Sequence, residues 1–146
     1  MKYAPRPALA RFFGFLMGNA FGEALMGVCA DAVVPVPLHG RRLRQRGFNQ
    51  AVLMAEGLHR SLNVRILRDG LLRWRWTDPQ VSLSRPRREA NMRGAFRVPR
   101  PSAVEGRRLI LLDDVYTTGS TLREAARALK EAGARQVHVV ALARVL

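Results

Sequence analysis

The chain has 146 residues, 48% of them hydrophobic, which suits one domain with a genuine core and leaves no room for several. A solitary cysteine, Cys29, excludes an internal disulfide and a cysteine-dominated metal site, fits a reducing cytoplasm, and reads most simply as a small buried hydrophobe. The net charge of +14 rests on 23 arginines and two lysines against 11 acids, so anionic partners are expected, although an arginine and alanine bias also follows from coding composition alone.

Position discriminates better than the total. Residues 65–100 carry ten arginines and three acids, a net +7, whereas residues 106–146 carry a net +3. The histidines His39, His59 and His138 are too scattered to suggest a metal site. There is no internal repeat or low-complexity tract.

In chain order, Lys2, Arg6 and Arg11 precede an apolar run from Phe12 to Phe21, and Ala30-Asp31-Ala32 has the look of a leader cleavage site. Arg11 and Glu23 bracket only eleven residues, too few to cross a bilayer, and glycines and Asn19 interrupt them. The expectation is a helix over 7–27, within an N-terminal segment 1–30 packed on a sheet, with no membrane span.

An apolar strand follows at 32–36, where Pro35 and Pro37 remove backbone donors and place its end at an edge or a site mouth. Arg41, Arg42, Arg44 and Arg46 then form a basic turn suited to pyrophosphate or to nucleic acid. A helix is expected over 48–62, with Phe48, Ala51, Val52, Ala55, Leu58 and Leu62 on its apolar side.

Strands are expected around 64–76, where Leu72, Trp74 and Trp76 alternate as if on one buried face. The same run, Arg73, Trp74, Arg75 and Trp76, interleaves cations with rings and equally suits single-stranded nucleic acid. Residues 77–96 read as a basic loop, in which Arg85, Arg87 and Arg88 are either solvated or gathered by an anionic ligand.

Leu109 to Leu112 form an apolar run expected of a strand (108–112) buried on both faces. Asp113 and Asp114 sit at its carboxyl end, where open α/β sheets place their ligands. Leu122, Ala125, Ala126 and Leu129 recur at helical spacing before Gly133, giving a helix over 121–132 and a last strand over 136–143. Thr117, Thr118, Gly119, Ser120 and Thr121 therefore lie at a helix N-terminus, where free N–H groups and the helix dipole favour a phosphate. Two carboxylates would repel that phosphate but suit ribose hydroxyls, or a magnesium ion bridging to a phosphate. Together they describe a ribose 5-phosphate; the competing reading is an ordinary helix N-cap.

The string Asp113-Asp114-Val115-Tyr116-Thr117-Thr118-Gly119-Ser120-Thr121 resembles the phosphoribosyl pyrophosphate (PRPP) signature of type I phosphoribosyltransferases. Val34-Pro35-Val36-Pro37-Leu38, Arg46-Gly47-Phe48-Asn49-Gln50-Ala51, Gln80-Val81-Ser82-Leu83, and Arg88 with Asn91 and Gly94-Ala95-Phe96 resemble the ComF branch, associated with DNA uptake in naturally competent bacteria. The resemblance covers about Ala32 to Leu142.

It implies an α/β domain, 1–146, with a type I phosphoribosyltransferase-like parallel sheet flanked by helices and joined by right-handed crossovers. It implies PRPP and Mg2+ as ligands, with Asp113 and Asp114 on the ribose hydroxyls as the catalytic acids and Thr117 to Thr121 on the 5-phosphate. Val36, Pro37 and Leu38, with Arg41 and Arg46, would face the pyrophosphate. Residues 77–96 would be the mobile loop, with Gln80, Arg85, Arg88 and Asn91 closing over the site. No direct protein ligand for the metal is implied; it would reach the protein through PRPP near the two acids.

Two departures are visible. Enzymes of this type that use 6-oxopurines typically carry an acid at the position of Thr117, and ComF-type proteins usually begin with a cysteine-rich zinc module that one cysteine cannot build. The chain thus reads as a truncated product or a fragment. The expected function is PRPP binding, with phosphoribosyl transfer open. The alternative is a non-enzymatic scaffold for single-stranded DNA or for DNA-uptake and recombination proteins, with PRPP as a regulatory ligand. A homodimer is compatible with either.

Overall fold

The computed structural model describes residues 6–77 and 84–145. Helix α1 spans Pro7–Gly27, strand β1 Ala32–Pro35, helix α2 Gly40–Arg46, helix α3 Gln50–Leu62 and strand β2 Leu72–Arg73. Helix α4 follows at Arg85–Met92, strand β3 at Phe96–Arg97, strand β4 at Arg108–Tyr116, helix α5 at Ser120–Glu131 and strand β5 at Gln136–Arg144.

Strands β1, β4 and β5 form a parallel sheet in the order β1-β4-β5, and β2 pairs with β3 in a separate antiparallel ribbon. The central strand is apolar on both faces because both are covered. Leu109 and Leu111 pack with Val34, Phe96, Leu122 and Leu129 on the side of α5 and the ribbon. Ile110 and Leu112 pack with Val33, Met54 and Leu58 on the side of α1 and α3. Leu109 to Leu112 are at most 1% exposed, so each contributes roughly 1.5–3 kcal/mol of burial.

Helices α1 and α3 approach closely enough that glycine is required between them. A Cβ on Gly14 would overlap the Met54 backbone, and one on Gly57 would overlap the Arg11 backbone. This close pairing fixes α1 against α3, and Met17 and Leu25 of α1 join Val33 and Ile110 of the sheet in one core cluster.

Several local expectations are corrected. The basic turn at 41–46 is helix α2, capped by His39, whose Nδ1 accepts from Arg41 N at 3.2 Å. It is closed by Gly47 at φ 85°, so the next helix starts at Gln50 rather than at residue 48. In 64–76 only Leu72–Arg73 is a strand, with Ile66 bridging to Val33; a turn ending at Gly70 separates them. Within 77–96, residues 85–92 are helical rather than looped, with Pro86 in the first turn, where its missing N–H costs nothing. Strand β4 continues past residue 112 through the acids, because its pairing with β5 runs on to Tyr116 opposite Arg144.

The Leu72, Trp74, Trp76 face is not the buried one. Leu72 is 38% and Trp74 51% exposed, whereas Leu71 and Thr77 are buried. The alternation has the expected period, but the arginine side of the ribbon turns inward. Cys29 is exposed, not buried, at φ 50° directly after α1.

Candidate functional site

The site is assembled at the carboxyl ends of β1 and β4. Val36 N donates to Leu112 O at 2.8 Å, so the β1 end lies beside the acids. Asn49 holds the neighbouring turn from below. Its Nδ2 donates to Val36 O at 2.9 Å while its Oδ1 accepts from Ala51 N at 2.9 Å, capping α3. Pro37 and Leu38, half-buried, follow directly and lead into α2.

The two acids continue the alternation of β4 and so belong to opposite faces. Asp113 follows Leu109 and Leu111 and lies within electrostatic range of Arg73. Asp114 follows Ile110 and Leu112 and lines a cleft of about 680 Å³ together with Arg46, Phe48, Gln50 and Leu142. There Arg46 donates to Gln50 Oε1 at 2.7 Å. Burial and the adjacent Asp114 charge push the Asp113 carboxyl up to about 7. The Asp114 backbone N–H, 2.9 Å from Asp113 Oδ1, and the Arg73 charge oppose that rise.

The Thr117–Thr121 loop turns at Gly119, φ 76°, where a Cβ would overlap the Tyr116 ring. Thr118 Oγ1 and Ser120 Oγ lie 2.9 Å apart, and no N-cap side chain occupies the first amides of α5. The Thr118 and Ser120 hydroxyls thus gather at the start of α5, where Ser120 N also donates to Thr118 Oγ1 at 3.5 Å, a few residues after the acids.

The Arg73–Trp76 run divides. The Arg73 side chain lies over the Phe96 ring at 5.7 Å, donates to Thr77 Oγ1, and keeps a buried Nε with no hydrogen-bond partner among the described residues. Burial, then the Arg42 charge, lowers its pKa, while Asp113 raises it. Arg75 donates to the carbonyls of Asn91, at 2.9 Å, and Arg93. Trp76 meets His39 edge-on at 5.2 Å and lies under Arg41 at 5.0 Å, so it covers the start of α2. Trp74 alone faces outward, with Arg97 over its ring at 5.6 Å.

Of the residues expected in the loop, Arg88 and Asn91 lie on α4, the side chain of Arg85 is outside what the structure describes, and Gln80 falls outside the described residues altogether. Sequence reasoning missed Arg123, which donates to Thr118 O at 3.3 Å and pairs with Glu89 of α4 at 2.7 Å. It also missed Glu124, which accepts from Gly94 N at 2.6 Å; its Arg127 hydrogen bond holds its carboxyl below the ordinary range. Both lie one turn into α5, a position from which a side chain could reach the preceding loop.

Comparison with known proteins accords with this geometry. The phosphoribosyl transferase domain family matches residues 49–146. The chain belongs to that family. It is 42% identical over 116 residues to the DNA utilization protein YhgH of Escherichia coli, covering 80% of this chain and 50% of that protein. It is 38% identical over 115 residues to competence protein F of Haemophilus influenzae (78% and 50%) and 36% identical over 101 residues to competence protein ComFC of Bacillus subtilis (69% and 39%). The ComF branch is therefore the right one, and the chain spans about half the length of the first two relatives, less of the third. Among solved structures, the B. subtilis glutamine PRPP amidotransferase complexed with ADP and GMP shares the fold, with TM-score 0.64, 24% identity, and coverage of 93% of this chain and 26% of that one.

No group of three or more histidine, cysteine or acidic residues among the described residues could hold a metal ion, and no described helix is long and apolar enough to cross a membrane.

Proposed function

We propose that this phosphoribosyltransferase-family domain binds PRPP with Mg2+ and serves DNA utilization as a ComF-type protein. The observation that carries the reading is the adjacency of two environments of opposite sign. Asp113 and Asp114 lie near the carboxyl end of β4, and four residues after Asp114 begins the Thr118–Ser120 hydroxyl pair at the N-terminus of α5. An anion and a polyol on one molecule satisfy both.

In this reading the loop 117–121 binds the 5-phosphate and the acids orient the ribose hydroxyls. Arg41, at the start of α2, and Arg46, in the cleft lined by Asp114, supply positive charge on the pyrophosphate side. The carboxylate oxygens fit a hard, oxygen-seeking cation shared with PRPP. Magnesium, when bound, neutralises charge on the pyrophosphate leaving group. The chain's own contribution to phosphoribosyl transfer is to hold the ribose over the acids.

Calorimetric titration with PRPP and Mg2+ tests this. Saturable binding is expected in the wild type and its loss in a folded Asp114→Asn variant. A folded wild type that binds no PRPP would overturn the reading.

A further inference from the structure

We infer that a groove on the flank of the molecule, between α1, α3 and the segment 64–68, is a binding track for single-stranded nucleic acid. It is distinct from both the acid-and-hydroxyl site and the Arg73–Trp76 run.

Two adjoining concavities share Arg11 and Arg60. One, of about 610 Å³, is lined by these two together with Arg65 and Arg68; the other adds Phe12 and Phe15. Against the four guanidinium groups stands a single carboxylate, Glu56, so the groove carries a net positive charge of three. Glu56 accepts from Arg11 Nε at 2.6 Å and from Arg68 at 2.8 Å, holding both heads along the groove wall. Burial disfavours the ionised Glu56, but its two arginines outweigh that and keep its carboxyl below the ordinary range. Arg60 and Arg65 are exposed and have no carboxylate partner among the described residues, so their charge is available to a ligand.

The rings decide the class of ligand. Phe12 is 53% and Phe15 40% exposed, side by side with Arg11 and Arg60. Water-exposed phenyl rings are an unfavourable surface for a small anion or a purely acidic chain. They suit a polymer that offers a phosphate and a flat base at each repeat, as an unpaired strand does. A duplex keeps its bases stacked away from such rings. The groove is lined from the C-terminal half of α3, whereas Asn49, at the other end of that helix, holds the Val36 turn.

The proposal stands on the groove alone and is independent of PRPP binding. The test is fluorescence anisotropy of labelled oligothymidylate with the intact chain between low and moderate salt. If each of the four arginines meets a phosphate, log affinity falls with log salt at a slope of about −3, and Arg60→Gln with Arg65→Gln makes it shallower by about 1.4. Phe12→Ala weakens binding roughly tenfold with the slope unchanged. The matched pair Arg100→Gln and Arg135→Gln, exposed elsewhere, leaves the slope nearly intact. An equal effect from that control pair, an unchanged affinity in Phe12→Ala, or equally tight binding of a base-free polyanion of the same charge would each overturn the assignment.

Discussion

Arg123 and Glu89 form an ion pair at 2.7 Å across 34 residues, and the same guanidinium donates to the Thr118 carbonyl at 3.3 Å. One side chain therefore joins the hydroxyl-rich loop to helix α4. Both partners are about half exposed, so the pair adds at most about 1 kcal/mol to global stability. Its consequence is local. Glu89→Gln should leave the unfolding midpoint nearly unchanged while speeding amide hydrogen exchange in residues 85–92; uniform exchange across the chain would argue against the tie.

Asp113 is expected to make PRPP binding depend on pH. Its carboxyl is raised from 3.8 to about 7 by burial and the Asp114 charge, so at pH 6 the folded chain holds a proton that the ionised form must release. Affinity for PRPP with Mg2+ should rise as pH climbs toward 7 and level off above it, and Asp113→Asn should remove the dependence. The same shift means that folded Asp113 binds more protons than unfolded Asp113 between about pH 4 and 7. Its contribution to stability is complete below the unfolded value and is lost as pH rises through the folded one. Urea midpoints of the wild type and Asp113→Asn across pH 4–8 would show whether they diverge in that direction.

Asn49 caps α3 and holds the Val36 carbonyl, so Asn49→Ala loses both bonds. A destabilisation of about 1–2 kcal/mol is expected. Weaker PRPP binding should accompany it, because the β1 turn loses its support. A change in urea midpoint without any change in affinity would separate the turn from the ligand.

Gly57 sits where a Cβ would overlap the Arg11 backbone. Gly57→Ala must push α1 off α3, at a cost of roughly 1–3 kcal/mol despite alanine's better helix propensity. An exposed helical position would gain stability from the same change, so the sign of the shift in urea midpoint is diagnostic.

What was legible in the sequence followed from burial. Leu109 to Leu112 and the Leu122, Ala125, Leu129 spacing announce β4 and α5 because both bury a defined face. Helices α2 and α4 were hidden because neither buries an apolar stripe: α2 has only Leu43 among arginines, and its ends are set by the His39 cap and Gly47. The face of the 72–77 run was misread because alternation gives a period without a direction. Arg73 and Arg75 take the inner side, one over Phe96 and the other on backbone carbonyls, which no hydrophobic pattern signals. Arg123 and Glu89 were invisible because their relation exists only once α4 lies against α5.

The most direct test of the central claim, that the 117–121 turn cradles a phosphate beside the acids, is a backbone amide NMR titration with ribose 5-phosphate. The account predicts saturable shifts of the Thr118, Gly119, Ser120 and Thr121 amides, with Asp113 and Asp114 following and the Arg60 to Arg68 region silent. Shifts confined to the arginine groove, with the turn unmoved at saturation, would contradict it.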